Sequence, residues 1–287
     1  MKNILLIGIN GFLGKNITEE LINSFNIFAL VNYNKKKLIK KSSNKKIHYI
    51  FYKNFKDIEK KIIKKKIYCL INFATFYKKD HKSSDINKLI NSNIRLPILL
   101  YELSKKLKIK KFITFGSVWE HFNGIQNNPH NLYAATKLSS YFIMNYYSKY
   151  NLSTNYYYLL LSDTYGPNDR RKKLIPTLLN NYKKNKVTII NSRKLNINYL
   201  HVKDVSLALK IIMKKNIKPG RYLLKNTNKF SAQNLINLVN QKLMKKIKVE
   251  WLNNVKNTKS IKIKKLPYWK PIYKIEKNLL KLLNEKN

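Results

Sequence analysis

Three of the chain's seven glycines fall within one stretch of seven residues, Gly8-Ile9-Asn10-Gly11-Phe12-Leu13-Gly14. The stretch follows Asn3-Ile4-Leu5-Leu6-Ile7, an apolar run of strand length. It leads into Phe12 to Ser24, where Leu13, Ile17 and Leu21 recur every four residues as a helical stripe. A strand-to-helix turn of this kind lets the backbone turn tightly, packs the helix on the strand and approaches a pyrophosphate closely. Unpaired N–H groups and the positive end of the helix dipole then face the anion. The spacing is G-x-x-G-x-x-G, not the commoner G-x-G-x-x-G. Its weight therefore comes from the strand before it and the amphipathic helix after it.

The pattern that follows repeats this unit. Apolar runs at Asn26 to Val31, Ile47 to Tyr52, Ile67 to Phe73, Lys111 to Phe115 and Tyr156 to Leu161 read as strands. Helical stripes over Asp57 to Lys66, Ser84 to Lys108 and Leu132 to Tyr150 lie between them, and Pro97 is expected to kink or break the second. Alternation of this sort predicts an α/β chain with a Rossmann-type, doubly wound parallel sheet over residues 1–165. Residues 166–287 are less regular and predict a smaller α/β substrate-binding lobe, some of whose strands and helices return to the first domain. Its helices are expected at Leu174 to Lys184, Val202 to Lys214, Ser231 to Leu243 (Ser231 as N-cap) and Ile275 to Leu283. Its strands are expected at Val187 to Asn191, Asn196 to His201, Arg221 to Leu224 and Lys248 to Leu252, with a Lys-rich surface loop from Val255 to Lys265.

Composition matters mainly for what it excludes. The formal charge is +45 over 287 residues, which would ordinarily suggest a nucleic-acid or anionic-membrane partner. The basic residues are almost all Lys, spread along the chain, with Arg only at positions 95, 170, 171, 193 and 221. Abundant Lys, Asn, Ile and Tyr with little Gly and Pro reads as compositional drift rather than selection for a polyanion, so no nucleic acid is expected as partner. There is no run of about 18 apolar residues, so no membrane span is expected. The N-terminus reads as a first strand and not a signal peptide. Cys69 is the only cysteine, which excludes an intrachain disulfide and fits a cytoplasmic location. Five His and one Cys show no ligand spacing, so no metal is expected.

Chemistry concentrates in a few places. The second strand ends in Asn32-Tyr33-Asn34-Lys35-Lys36-Lys37, without the acid that would accept from an adenosine ribose hydroxyl, which leans to NADP over NAD. In Tyr133-Ala134-Ala135-Thr136-Lys137 the tyrosine and lysine share a helix face. An ammonium beside a phenol is expected to lower the phenol's pKa and make it a general acid or base for an alcohol or ketone. Ser117, after the fifth strand, offers a hydroxyl to hold a substrate oxygen toward Tyr133. Arg171, within Asn168 to Lys173, reads either as a bidentate clamp for a substrate diphosphate or as part of a solvated helix start. Glu120 and His121 read as pocket lining or loop packing before they read as a second acid/base pair.

Taken together, the glycine turn, Gly116-Ser117 and Tyr133 to Lys137 resemble the extended short-chain dehydrogenase/reductases, which include NAD(P)-dependent epimerases, dehydratases and reductases of nucleotide sugars. The resemblance runs on through Ser162 to Pro167, Tyr199 to Val205 and Pro267 to Pro271. The block from Gly116 to His121 and from Asn131 to Lys137 is similar to the branch of CDP-abequose synthase-like reductases and epimerases. The resemblance implies that Gly8, Asn10, Gly11, Phe12, Leu13 and Gly14 hold the cofactor pyrophosphate. It implies Asn32, Asn54 and Phe55 at the adenosine, Phe73, Ala74 and Thr75 along the cofactor, and Asn93 stabilising the sheet beside it. Ser117, Tyr133 and Lys137 would be catalytic, with Tyr133 and Lys137 also touching the cofactor, and Trp119, Asp163 and Arg171 would meet the substrate. The implied activity is C4 keto reduction or epimerisation of a nucleoside-diphosphate sugar in surface-polysaccharide biosynthesis, with NADP or NAD, by a homodimer joined through the two long helices. The same residues leave open a ketoreductase of a non-sugar metabolite, or a regulator that senses NADP without catalysis. Two departures from the family pattern are the missing acid at Asn32 and a short Ser117–Tyr133 segment carrying Trp119, Glu120 and His121.

Overall fold

A computed structural model describes residues 1–34, 46–150, 153–227, 230–241, 243, 245–252 and 261–284. The Lys35-Lys36-Lys37 run and most of the loop expected from Val255 to Lys265 lie outside these residues. In chain order the first half comprises β1 (Asn3–Ile7), α1 (Phe12–Leu21), β2 (Asn26–Asn32), β3 (Ile47–Tyr52), α2 (Phe55–Ile62), β4 (Ile67–Asn72), α3 (Ile86–Ile90), α4 (Leu96–Lys106), β5 (Lys111–Ser117), α5 (Leu132–Tyr150) and β6 (Asn155–Leu161). There follow β7 (Asp163–Tyr165), α6 (Leu174–Lys183), β8 (Thr188–Ile190), β9 (Asn196–Ile197), β10 (Tyr199–His201), α7 (Val202–Lys214), β11 (Gly220–Leu224), β12 (Phe230–Ser231), α8 (Ala232–Asn240), β13 (Val249–Trp251) and α9 (Ile275–Asn284).

Among the described residues, seven strands form one sheet in the order β11-β6-β5-β4-β1-β2-β3, with every pairing parallel. This is the doubly wound, Rossmann-type sheet expected. Both faces are covered, which is why the strands are nearly unbroken apolar runs. Side chains alternate across them. Ile4 and Leu6 join Ile17 and Leu21 of α1 and Val205 and Leu209 of α7 on one face. Leu5 and Ile7 join Ile58 of α2, Leu100 and Tyr101 of α4 and Met144 of α5 on the other. Each fully buried Leu or Ile here contributes about 1.5–3 kcal/mol. A third cluster, around Tyr165, Ile175, Leu178, Leu235 and Leu279, forms the core of the later part of the chain.

Several boundaries differ from expectation for identifiable reasons. Pro97 neither breaks nor ends the helical run, because a π turn (Asn91–Arg95) precedes it and Pro97 then sits in the first turn of α4. The strand expected from Asn196 to His201 is two strands with different partners: β9 pairs with β12 and β10 with β7. Asn198 separates them, its amide bonded both ways to the Asn226 main chain at 2.8 and 2.7 Å. Ser231 caps α8 by accepting from the Asn234 N–H at 3.0 Å, but the helix stops at Asn240. Asp204, buried in the first turn of α7, accepts from the N–H of Ile272 at 2.8 Å, and its carbonyl accepts from the Trp269 indole at 2.9 Å. The C-terminal segment is thereby fastened over α7.

Candidate active site

The order of the sheet reverses between β1 and β4, and the crevice at such a point, beyond the strands' carboxyl ends, is where ligands of open α/β sheets bind. A cleft of about 620 Å³ opens there. The glycine turn forms one wall. Gly8 has φ +83°, and a Cβ on it would lie 2.4 Å from the Ala74 nitrogen, so β1 can pass β4 this closely only with glycine. Gly11 is the N-cap of α1 and brings no side chain to cap it. The first N–H groups of the helix are therefore left for an external acceptor, which fits a dinucleotide pyrophosphate. Asn10, Gly11, Phe12 and Leu13 line the cleft with Gly8. Gly14 does not line it. A Cβ there would lie 2.2 Å from the Gly8 carbonyl, so this glycine packs α1 on β1 rather than meeting a cofactor.

Ser117, Tyr133 and Lys137 all line the same cleft, though they come from different elements. Ser117 ends β5, and its Oγ accepts from the Trp119 N–H at 3.3 Å, leaving the hydroxyl hydrogen to be donated. Asn131 starts α5 by accepting from the Ala134 N–H at 3.0 Å, which puts Tyr133 and Lys137 on one face in its first turns. Burial lowers the Lys137 ammonium to about 8, against an upward pull from Glu120. The expected lowering of Tyr133 is corrected: burial raises its phenol, Glu120 and Tyr77 raise it further, and Arg171 and a bond to Thr75 oppose them. Removal from water outweighs the Arg171 charge and favours the protonated phenol. Tyr77 stands edge-on to its ring, with centroids 5.0 Å apart.

The other expected residues divide. Asn32, Phe73, Ala74, Thr75, Trp119 and Arg171 line the cleft. Asn32 carries no charge, and its Oδ1 accepts from the Asn34 N–H at 3.0 Å. Asn93 lies behind the wall, fully buried: its Oδ1 accepts from Thr75 Oγ1 and the Phe76 N–H at 2.9 Å, and its Nδ2 donates to Thr136 Oγ1 at 3.0 Å. It joins the loop after β4 to α5 and does not reach the cofactor's place. Asn54 caps α2 through the Asp57 N–H at 3.1 Å, and Phe55 packs into the core. Neither lines the cleft; Tyr52, the last residue of β3, does. Asp163 does not line the cleft; it pairs with Lys173, which does, at 3.0 Å.

Arg171 corrects a second expectation. Its Nε and Nη2 both bond Asp169 at 2.7 Å, Nη2 also donates to the Thr164 carbonyl at 2.8 Å, and Nη1 donates to Thr164 Oγ1 at 3.1 Å. The fork that would clamp a diphosphate is occupied, and the group is instead a fixed charge lying 3.9 Å over the Phe12 ring. Glu120 and His121 are buried behind Ser117 and do not line the cleft. Among the described residues, none that lines the cleft is a carboxylate. Sequence reasoning missed Tyr52, Tyr77, Ser162, Thr164 and Lys173 as lining residues. For Tyr52 the signal was its place at a strand's carboxyl end.

The profile of the NAD dependent epimerase/dehydratase family matches residues 4–224. The chain is similar to the CDP-abequose synthase of Yersinia pseudotuberculosis, with 25% identity over 214 residues, 73% of this chain and 72% of that protein. Among solved structures it is similar to UDP-N-acetylglucosamine 4-epimerase from Methanobrevibacter ruminantium M1, with a TM-score of 0.83 at 17% identity over 98% of this chain and 97% of that one. It is also similar to UDP-glucuronic acid 4-epimerase from Bacillus cereus in complex with UDP-glucuronic acid and NAD, with a TM-score of 0.81 at 17% identity over 98% of each chain.

Proposed function

This chain belongs to the NAD dependent epimerase/dehydratase family, and on that premise we propose that it reduces or epimerises a nucleoside-diphosphate sugar at C4, in the making of surface-polysaccharide sugars. The reading is carried by one observation: Ser117, Tyr133 and Lys137 share a cleft with the open N-terminus of α1. When bound, the nicotinamide supplies or takes the hydride. Tyr133 gives a proton to the carbonyl oxygen in the reducing direction, and its protonated state suits that step. Ser117 donates its free hydrogen to the same oxygen. Lys137 binds the ribose and holds a positive charge beside the phenol.

The cofactor in this reading is NADP ahead of NAD. Asn32 has no charge to repel a 2′-phosphate, and Lys53 stands 5.6 Å over the Tyr33 ring just beyond it. Lys173 and Arg171 face the sugar diphosphate as point charges, and residues 166–287 mainly form the substrate lobe, with β11 and α7 returning to the first domain. Exposed Ile86 and Ile90 on α3 and Phe142 and Tyr146 on α5 support a homodimer through these helices. Among the described residues no helix is long and apolar enough to cross a membrane, and the lone Cys69 suits the cytoplasm.

Thermal unfolding with NAD, NADP and a panel of UDP, CDP and dTDP sugars tests the proposal. A ligand at about 100 times its Kd adds about 2.7 kcal/mol. The expected order is a larger rise with NADP than with NAD, and a rise with at least one sugar nucleotide. No rise with either dinucleotide contradicts the reading.

A further inference from the structure

Beneath Ser117 the chain buries an ion pair that the proposed chemistry does not use. Glu120 is fully buried, and its Oε2 accepts from Arg221 Nη2 at 2.8 Å. Such a pair is a weak argument for stability, because well-packed apolar side chains often hold a fold as well or better. What the pair touches says more. Glu120 Oε1 accepts from the Ser117 N–H at 2.8 Å and from the Tyr158 hydroxyl at 2.7 Å. That hydroxyl also lies 3.1 Å from the Lys137 carbonyl. The Arg221 guanidinium is 4.2 Å over the ring of Tyr141, one turn beyond Lys137 on α5, and its Nη2 is 2.6 Å from His121 Nε2. One carboxylate therefore joins the end of β5, β6, β11 and α5. Gly116 makes room for it: a Cβ there would lie 2.5 Å from Glu120 Oε1 and from the Tyr158 hydroxyl.

We infer that Glu120, held by Arg221, is a positioning residue of the hydride-transfer site, fixing the Ser117 main chain against α5 and supplying the negative charge that faces Lys137. The inference rests on the reading of Ser117, Tyr133 and Lys137 given above. Two effects agree with it. Glu120 is the group that holds the Lys137 ammonium up against burial, and it also disfavours the Tyr133 phenolate. Both keep protons where carbonyl reduction needs them. The other ionisable groups in this neighbourhood include Tyr133 and Tyr141 on α5, Tyr77 after β4, Tyr156 and Tyr158 on β6, His121 after β5 and Arg221 on β11. Burial raises Tyr77, Tyr133, Tyr156 and Tyr158, and burial with Arg221 keeps His121 neutral, lowered to about 4. Burial likewise raises the Glu120 carboxyl, opposed by its bonds to Ser117, Tyr158 and Arg221.

Fluorescence titration of the full chain with NADPH and with NADH, from about pH 6 to about pH 10, tests this without a sugar substrate. In the wild type, affinity is expected to fall about tenfold as pH rises through about 8, and Lys137→Met is expected to abolish the fall. In Glu120→Gln the fall is expected about one pH unit lower, with affinity at about pH 6 unchanged. The double variant Glu120→Gln/Arg221→Met also removes the buried guanidinium that the single variant leaves without its carboxylate, so it is expected to fold even if the single variant does not, and to show the same displaced fall. Wild-type profiles in the folded variants overturn the inference. A wild type with no fall, matched by Lys137→Met, overturns instead the cofactor role of Lys137.

Discussion

The two walls of the cleft are built differently. The wall at the end of β1 is main chain, shaped by Gly8 and Gly14, whose neighbours leave no room for a Cβ, and it offers N–H groups. The wall at residues 163–173 is side chains locked to one another, Arg171 to Asp169 at 2.7 Å and Lys173 to Asp163 at 3.0 Å. Hard packing leaves the first wall one shape, suited to one constant ligand. On the second wall Arg171 is held as firmly, and only the Lys173–Asp163 pair, partly exposed on both sides, can exchange partners. The walls touch where the Arg171 guanidinium lies on Phe12 and where Asn16 Nδ2 of α1 donates to the Pro167 carbonyl at 3.1 Å.

This contrast can be broken at several points. The largest effect is expected at Tyr133, which serves both walls: Tyr133→Phe should lower turnover about a thousandfold while leaving dinucleotide affinity within about twofold. Retained turnover with an intact fold would remove Tyr133 from the chemistry. Next comes the main-chain wall. A side chain at Gly11 starts 3.4 Å from the Gly8 carbonyl and fits, so Gly11→Val should fold and weaken dinucleotide binding about a hundredfold by filling the phosphate's approach. Gly14→Ala should instead lose thermal stability, which a melting curve reports. The side-chain wall should respond more mildly. Lys173→Ala is expected to raise KM for the sugar nucleotide about tenfold with dinucleotide affinity unchanged.

The smallest effect lies away from both walls. Burial raises the Asp204 carboxyl to about 6, so between pH 4 and 6 the folded chain keeps a proton that the unfolded chain has lost. Its contribution to stability is therefore present below about 4 and lost as pH rises through about 6. Asp204→Asn should remove this dependence, so that wild type falls relative to the variant by about 2–4 °C in Tm over that range.

What could be read from the sequence follows the same division. β1, its turn and α1 were legible because glycine and apolar period are local signals. So was the pairing of Tyr133 with Lys137, which needs only helical spacing. The split at Asn198 was hidden because it depends on Asn226, a partner in another segment. The occupied fork of Arg171 depends on the choice of rotamer beside Asp169. The Ser117-x-x-Glu120 spacing is that of a capping box and was open to reading. Its ion pair was not, since Arg221 lies 101 residues away.

The central claim is that one cleft brings a nicotinamide and a nucleotide sugar together for hydride transfer under Tyr133. Incubating the protein with NADPH or NADH deuterated at the transferring position, and a panel of nucleotide sugars and their 4-keto forms, tests it directly. The account predicts deuterium at C4 of a sugar, detected by mass spectrometry, with the wild type and its loss with Tyr133→Phe. Absence of label in every sugar, or equal labelling by the two proteins, would contradict it.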